Sequence, residues 1–261
     1  MLAPFSCLYR NRRLLASTTL NAIRSRYTGT AFGTLWLVLF PLLFLAVYGT
    51  VFAFVLKVRL AHQTTFEYIM MVFAGLIPFL AFSEMLGATT NSVITNRSLI
   101  KNTLFPLELI PAQEVFTTTF RMLISFGLLL GVLWFNGIIS WRQILIVPVI
   151  ALQVLFSCGL AWIFGAVAVG FRDLSQLIGI LNLILMLASP IGYTKDMIPP
   201  KMMLFMYLNP LYYLIMLYRG LLFENTVLWT ELGIFSLISF VMFYLGHHLF
   251  VRLKGAMLEY V

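Results

Sequence analysis

The sequence predicts an all-α integral membrane protein with six transmembrane helices, from its composition, its apolar runs and the placement of its basic residues. Of the 261 residues, 61% are hydrophobic and only 10% are charged, whereas a soluble domain carries roughly a quarter charged residues. So few polar side chains cannot cover a water-facing surface. No stretch resembles a separate soluble domain, so residues 1–261 are expected to form a single transmembrane domain.

Six apolar runs are long enough to cross a bilayer, which takes about 20 mostly apolar residues in a helix. They predict spans at residues 30–56, 68–94, 110–135, 143–169, 174–194 and 231–251. Glu84 falls in the second span and Arg121 in the third. Ionisable residues at that depth usually face the bundle interior and have a partner. We favour a structural ion pair over a substrate contact, and whether the two side chains pair stays open.

A seventh apolar run, residues 202–218, is short and contains Asn209-Pro210 in its middle. Proline removes a backbone donor and disfavours helix in the residue before it. Two short helices that re-enter the membrane from the extracytoplasmic side are therefore predicted within residues 199–223. Irregular backbone at membrane depth must face protein or water, so we expect a cavity beside them.

The basic residues predict that both termini are cytoplasmic. Five arginines and no acid precede the first span, and Arg252 and Lys254 follow the last. With six spans, ten Lys/Arg residues lie on the cytoplasmic side and six on the other, not counting Arg121. This bias follows the positive-inside rule. The net charge of +8 therefore reflects orientation and lipid head groups rather than nucleic-acid binding.

Residues 5–27 predict an amphipathic helix that lies in the membrane surface. Its polar stripe consists of Arg10, Arg13, Ser17, Asn21 and Arg24. Arg12 and Arg26 interrupt the apolar face. Two interpretations remain open: a basic anchor that sets orientation, or a docking element that also contacts a cytoplasmic partner.

Residues 96–106, between the second and third spans, predict a short cytoplasmic helix. The segment is too short and too polar to cross the membrane, yet too apolar for a solvated loop. Apolar side chains presented to the cytoplasm indicate a protein partner. A helix lying on the lipid surface is the alternative.

The motifs of nucleotide hydrolysis and metal catalysis are missing from the sequence. It has no GxxxxGK[ST], HExxH or GxSxG, so we expect no ATP hydrolysis, catalytic residue, cofactor or metal in this chain. His247 and His248 have no clustered third ligand. A glycan-modifying membrane enzyme would depend on His62 with Glu67, and ion-coupled transport would use Glu84 as a proton site.

Several motifs occur in a characteristic order over nearly the whole chain. After the basic amphipathic helix come "RYTGTAFGTLWLVLFPLL", "SLIKNTLFPLEL", "FRDLSQL", "SPIGY" and "LNPLYYLIMLYRGLLF", followed by a short basic tail. In this order and spacing, the chain resembles the membrane subunit of type-2 ABC exporters of polysaccharides, the group that includes O-antigen, capsule and teichoic-acid exporters. It departs from the family pattern at Thr28-Gly29-Thr30 and at Arg121.

The resemblance implies a homodimer in the bacterial inner membrane, paired with two copies of a separate cytoplasmic ATPase that binds ATP and Mg. It implies polyprenyl-diphosphate-linked O-antigen as the substrate. Capsular polysaccharide, teichoic acid, a drug or a lipid are the alternatives within the same fold.

The resemblance also assigns roles to residues. Contact with the ATPase falls to a coupling helix and to the second cytoplasmic loop: Asn96, Arg97, Leu99, Ile100, Lys101, Leu104, Phe105, Pro106, Arg172 and Asp173. The gate falls to Pro190, Tyr193, Pro199, Asn209 and Pro210. Arg10, Arg13 and Arg24 are expected to attract the diphosphate. The aromatic residues expected to stack on sugar rings in a channel include Trp36, Tyr48, Phe79 and Phe82.

Overall fold

The structure is a computed structural model that describes residues 3–51, 64–96, 105–171, 173–194 and 197–260. Within these ranges the chain forms ten α-helices. They are α1 (Ala3–Arg10), α2 (Arg12–Tyr27), α3 (Trp36–Thr50), α4 (Thr65–Thr95), α5 (Leu109–Phe135), α6 (Ile146–Gly170), α7 (Leu174–Ala188), α8 (Met203–Leu208), α9 (Pro210–Arg219) and α10 (Trp229–Tyr260).

Four of the described helices, α4, α5, α6 and α10, are long and apolar enough to cross a membrane. α3 and α7 are apolar but have 15 residues each, about 22 Å of helix, which is less than the roughly 30 Å hydrocarbon core. The predicted first span, 30–56, continues beyond residue 51 into residues outside the described ranges. Length and composition thus give four spans outright, with α3 and α7 as shorter apolar helices.

α7 ends at Ala188, six residues before the predicted end of the fifth span at residue 194. Ser189 has extended backbone, with φ −101° and ψ 142°. Because Pro190 follows, the residue before it is disfavoured from helical conformation. The proline thus separates α7 from an irregular buried segment, residues 189–193, which we call the gate loop.

The predicted amphipathic helix is divided at Asn11 into α1 and α2. The Asn11 side chain donates a hydrogen bond to the Cys7 carbonyl at 2.9 Å, the kind of local bond that competes with regular helix. α1 packs on α10, where the rings of Phe5 and Phe243 are 4.7 Å apart. α2 turns Leu15 and Ile23 inward.

α6 and α10 cross with their backbones in close contact at Gly159 and Gly246. A Cβ on Gly159 would lie 2.3 Å from the Met242 carbonyl oxygen, and one on Gly246 would lie 2.1 Å from the Gly159 oxygen. No side chain fits between the two backbones there. The pair forms one side of the core around the buried Trp162.

α4 runs through the centre of the bundle and contacts α5, α6, α7 and α9. A buried polar chain links three of these helices: Gln153 of α6 donates to the Pro78 carbonyl at 3.0 Å, and its Oε1 accepts from the Tyr218 hydroxyl at 2.8 Å. Buried polar groups need such partners. These two hydrogen bonds therefore fix the rotation of α9 relative to α4 and α6.

Glu67 caps the N-terminus of α4. Its carboxylate accepts from the Thr64 backbone N–H at 2.8 Å, while the Thr64 hydroxyl accepts from the Glu67 N–H at 3.2 Å. This reciprocal capping box stabilises the helix N-terminus. His62, the partner that an enzymatic function would need, lies outside the described residues.

Candidate functional site

A cavity of about 510 Å³ lies between α2–α3 on one side and α4–α5 on the other. Its walls are largely aromatic and aliphatic, and they include Trp36, Phe40, Phe44 and Phe73. Three ionisable side chains border it as well: Arg26, Glu84 and Arg121. Such a combination of apolar walls with a few convergent polar groups is typical of a binding pocket.

Glu84 and Arg121 do pair, which the sequence left open. Arg121 Nη1 contacts Glu84 Oε1, and Arg26 Nη2 reaches the same oxygen at 2.7 Å. The contact joins the C-terminal end of α2 to α4 and α5. Nε and Nη2 of Arg121 are buried and have no hydrogen-bond partner among the described residues. Among the described residues, Glu84 therefore provides the one carboxylate that pairs directly with both arginines.

The turn between α2 and α3 places Arg26 beside Trp36 at the cavity. Thr28 takes extended backbone after α2, and Gly29 and Gly33 have φ of 82° and 52°. Only glycine adopts these positive φ values without strain. The tight turn folds the C-terminal end of α2 back onto the start of the first predicted span.

The side chain of Arg219, at the end of α9, binds backbone carbonyls of the gate loop. Its guanidinium donates to the carbonyls of Ile191 at 2.5 Å and Tyr193 at 2.9 Å, and to the Met71 carbonyl of α4 at 3.3 Å. The Tyr68 hydroxyl of α4 donates to a third carbonyl of the loop, that of Gly192, at 2.6 Å. Arg219 is 2% exposed. One buried arginine thus fixes the loop between α4 and α9.

Asn209 separates α8 from α9 and ties the break to the same loop. Its Oδ1 accepts from the Leu211 N–H at 3.0 Å, which caps α9, while its Nδ2 donates to Ser189 Oγ at 3.0 Å. Pro210 occupies the first position of α9, where its missing N–H has no cost. Pro190 is buried in the loop. Tyr193 donates to the Leu187 carbonyl, and Pro199 precedes a 3₁₀ turn before α8.

A second polar cluster surrounds Glu108, at the start of α5. The Glu108 carboxylate pairs with Lys254 Nζ of α10 at 2.8 Å, and its backbone carbonyl accepts from Trp162 Nε1 of α6 at 2.9 Å. Burial raises the pKa of the nearby Cys7 thiol, and the Glu108 charge raises that pKa further. The chain therefore enters α5 anchored to α6 and α10.

The structure places the predicted ATPase-contacting residues only in part. Asn96 ends α4, Phe105 and Pro106 are half-buried just before α5, and Asp173 precedes α7. The remaining ones lie outside the described residues: Arg97, Leu99, Ile100, Lys101, Leu104 and Arg172. Their contact with an ATPase stays a prediction.

The predicted basic and aromatic residues fall into different surroundings. Arg10, Arg13 and Arg24 are exposed on α1 and α2. Trp36 lines the cavity, whereas Phe79 and Phe82 are 2% and 4% exposed in the core, where Phe82 stacks on Phe156. The Tyr48 side chain lies outside the described part. Of the three that are described, Trp36 alone borders the cavity.

Sequence reasoning missed two residues that organise these sites, Arg26 and Arg219. The hydrophobic pattern gives Arg26 only as an interruption of an apolar face, and Arg219 only as one of the six basic residues counted on the extracytoplasmic side. A signal was present for Arg219, since it follows the apolar run "LYYLIMLY" directly. A cation at the end of such a run needs a partner.

The sequence matches the profile of the ABC-2 type transporter family over residues 14–223. This chain belongs to the ABC-2 type transporter family. The matched region contains α3 to α9, the cavity, the Glu84 cluster and the gate loop, together with most of α2. The protein is therefore a multi-pass membrane transport subunit.

Curated relatives of this ABC-2 chain carry names from polysaccharide export. It is 29% identical over 245 residues to the O-antigen export system permease protein RfbA of Klebsiella pneumoniae, covering 92% of each chain. It is 28% identical to the protein of the same name from Myxococcus xanthus, covering 84% of this chain and 83% of that one. It is 25% identical to the polysialic acid transport protein KpsM of Escherichia coli, covering 92% and 93%.

Proposed function

We propose that this protein is the transmembrane subunit of an ATP-driven exporter that moves polyprenyl-diphosphate-linked O-antigen across the bacterial inner membrane. The observation that carries this proposal is the similarity to O-antigen export permeases over 92% of both chains. The family match over residues 14–223 supports a transport role.

In this proposal the chain crosses the membrane six times, with α3 and α7 as the two shorter spans, and both termini are cytoplasmic. α8 and α9 are the extracytoplasmic gate helices, supported by the break at Asn209-Pro210. Two copies of the chain form the channel. Two copies of an ABC ATPase bind ATP and Mg and contact residues 96–106 and the loop with Arg172 and Asp173.

Force from the ATPase would enter the bundle at two anchored points. Residues 96–106, the predicted coupling helix, lead into Glu108, which bonds to α6 and α10. α2 contacts α4 and α5 through the ion pair of Arg26 with Glu84, which Arg121 shares. Closure of the ATPase dimer then shifts a two-state bundle. The gate loop would follow because α4 and α9 both hold it.

The basic stripe of the interface helix supports recruitment of the cargo. Arg10, Arg13 and Arg24 are exposed and would attract the diphosphate and the anionic membrane surface. Aromatic faces such as that of Trp36 would guide sugar rings. Capsular polysaccharide is the second candidate cargo, which the similarity to the polysialic acid transport protein favours.

The test is to deplete the protein in its native cell and measure lipid-linked glycan in the inner membrane. Finished polyprenyl-linked polymer should accumulate on the cytoplasmic side, and its sugar composition would identify the cargo. Re-expression of the intact chain is the control and should clear the accumulated polymer. Normal surface glycan without accumulation would contradict glycan export and favour a drug or lipid cargo.

A further inference from the structure

The cationic side chains at the cavity outnumber the carboxylates that pair with them directly. Arg26 and Arg121 share a single oxygen of Glu84. Glu114 of α5 interacts electrostatically with both arginines, yet no ion pair joins it to either one in the described part of the chain. Two guanidiniums thus have one direct anionic partner.

Arg26 is the arginine that can turn toward a ligand. Its side chain is 47% exposed, against 19% for Arg121. If Arg26 leaves Glu84, the carboxylate keeps Arg121 as its partner and no buried charge is left uncompensated. Breaking the inner pair would leave such a charge and cost far more. Arg26 can therefore exchange its carboxylate partner, Glu84, for a ligand.

The rest of the cavity suits the apolar part of an amphiphile. Tyr27 and Trp36 line it beside Arg26, and they are the residues that prefer the level of lipid head groups. Phe40, Phe44 and Phe73 continue the lining away from the ion cluster. Phe40 lines the cavity and is still 58% exposed, so a hydrocarbon chain can leave the cavity there.

We propose that this cavity binds the phosphate head of an anionic lipid, with Arg26 on the phosphate and Trp36, Phe40 and Phe44 against the first part of its hydrocarbon chain. A guanidinium binds phosphate through paired, charge-assisted hydrogen bonds. Two lipids carry this chemistry, the polyprenyl carrier of the glycan and an ordinary membrane phospholipid. The carrier as occupant rests on the proposed function; the site itself does not.

The experiment is native mass spectrometry of the full-length protein in detergent micelles, with polyprenyl phosphate, phosphatidylglycerol or phosphate-free polyprenol added. Arg26→Ala should reduce the occupancy of the phosphate lipids on the order of tenfold, the loss expected for one charge-assisted contact. Arg12→Ala is the matched control, since Arg12 is an exposed arginine at the other end of the same helix and lies outside the cavity lining. Trp36→Ala should reduce binding of polyprenol as well.

The outcomes separate the two lipids and can overturn the site. Arg26-dependent retention of polyprenyl phosphate over phosphatidylglycerol supports the carrier, and equal retention supports a membrane phospholipid. Equal loss in Arg26→Ala and Arg12→Ala would overturn the proposal, as would a second copy of the chain that fills the cavity and excludes lipid. Arg26→Gln, which removes the charge but keeps a polar side chain, replaces the alanine variant if the latter does not fold. Binding is measured without export, so either proposal can fail alone.

Discussion

Arg219 is a buried cation that is satisfied by carbonyls rather than by a carboxylate. Its three donors reach the backbone of two elements that are far apart in the sequence, the gate loop and α4. A planar guanidinium can bridge diverging carbonyls, whereas an ammonium on a flexible stem cannot reproduce that geometry. Gly75 packs beside the guanidinium: a Cβ there would be in ordinary contact with Arg219 at 3.6 Å but would crowd Ile215 at 3.0 Å.

Replacing Arg219 with lysine should therefore destabilise the protein even though the charge is kept. Each buried carbonyl left without a donor costs about 1–3 kcal/mol. The melting temperature of the detergent-solubilised protein should fall, and export should fall with it. Lys201→Met, which removes an exposed cation just before α8, is the control and should leave both unchanged. An unaltered melting temperature in Arg219→Lys would show that the carbonyl contacts contribute little.

At the scale of helices, the crossing of α6 and α10 depends on two glycines. Alanine at position 159 would bring its Cβ within 2.3 Å of the Met242 oxygen. The helices would have to separate along their length, and overpacking of this kind costs about 1–3 kcal/mol. Gly131→Ala in α5 is the matched control, since no atom lies within 4 Å of its added Cβ and alanine favours helix.

The measurement is thermal unfolding of both variants in the same detergent. Gly159→Ala should melt at a lower temperature than the unmodified protein, and Gly131→Ala at the same or a higher one. If the two variants melt together, the crossing is more tolerant than its geometry indicates.

The helices could be predicted from sequence where they depend on local signals. The apolar runs indicated every long helix, and the proline rules indicated the break at Asn209-Pro210 and the gate region around it. The division at Asn11 was missed, because an asparagine that bonds back to the Cys7 carbonyl gives no signal in a hydrophobic pattern. Hydropathy alone extends the fifth span to residue 194, whereas the family resemblance ends it at Pro190, close to the observed end of α7 at Ala188.

The sites were harder to predict because their contacts are distant in sequence. Glu84 and Arg121 were singled out by the cost of burying charge, and their pairing was left open. The third member, Arg26, comes from the interface helix, and no local pattern predicts that it turns back toward α4. Likewise, Lys254 and Glu108 are 146 residues apart, so only the folded chain brings them together.

For the whole molecule, the proposed function makes the Glu108 cluster the connection between an ATPase partner and the bundle. Glu108→Gln and Lys254→Gln should each weaken the anchor between α5 and α10. ATP hydrolysis by the assembled exporter should continue while export falls, because residues 96–106 would move without displacing α10. Arg252→Gln, an exposed cation on the same helix, should leave both rates unchanged.

The double variant Glu108→Lys with Lys254→Glu separates coupling from simple stability. It restores an ion pair of reversed polarity, so export per ATP hydrolysed should recover relative to either single variant. Equal loss of hydrolysis and export in the single variants would instead indicate general destabilisation.

The backbone contact between α6 and α10 also has a consequence for how fast different amides exchange with solvent. Local opening requires the apolar contacts of a segment to separate. α3 borders a cavity and exposes Phe40, Leu43 and Val47, so its amides should exchange through local opening. Amides beside Gly159 should exchange only when the whole bundle opens. A hydrogen-exchange experiment would thus distinguish an element that can move during transport from the frame against which it moves.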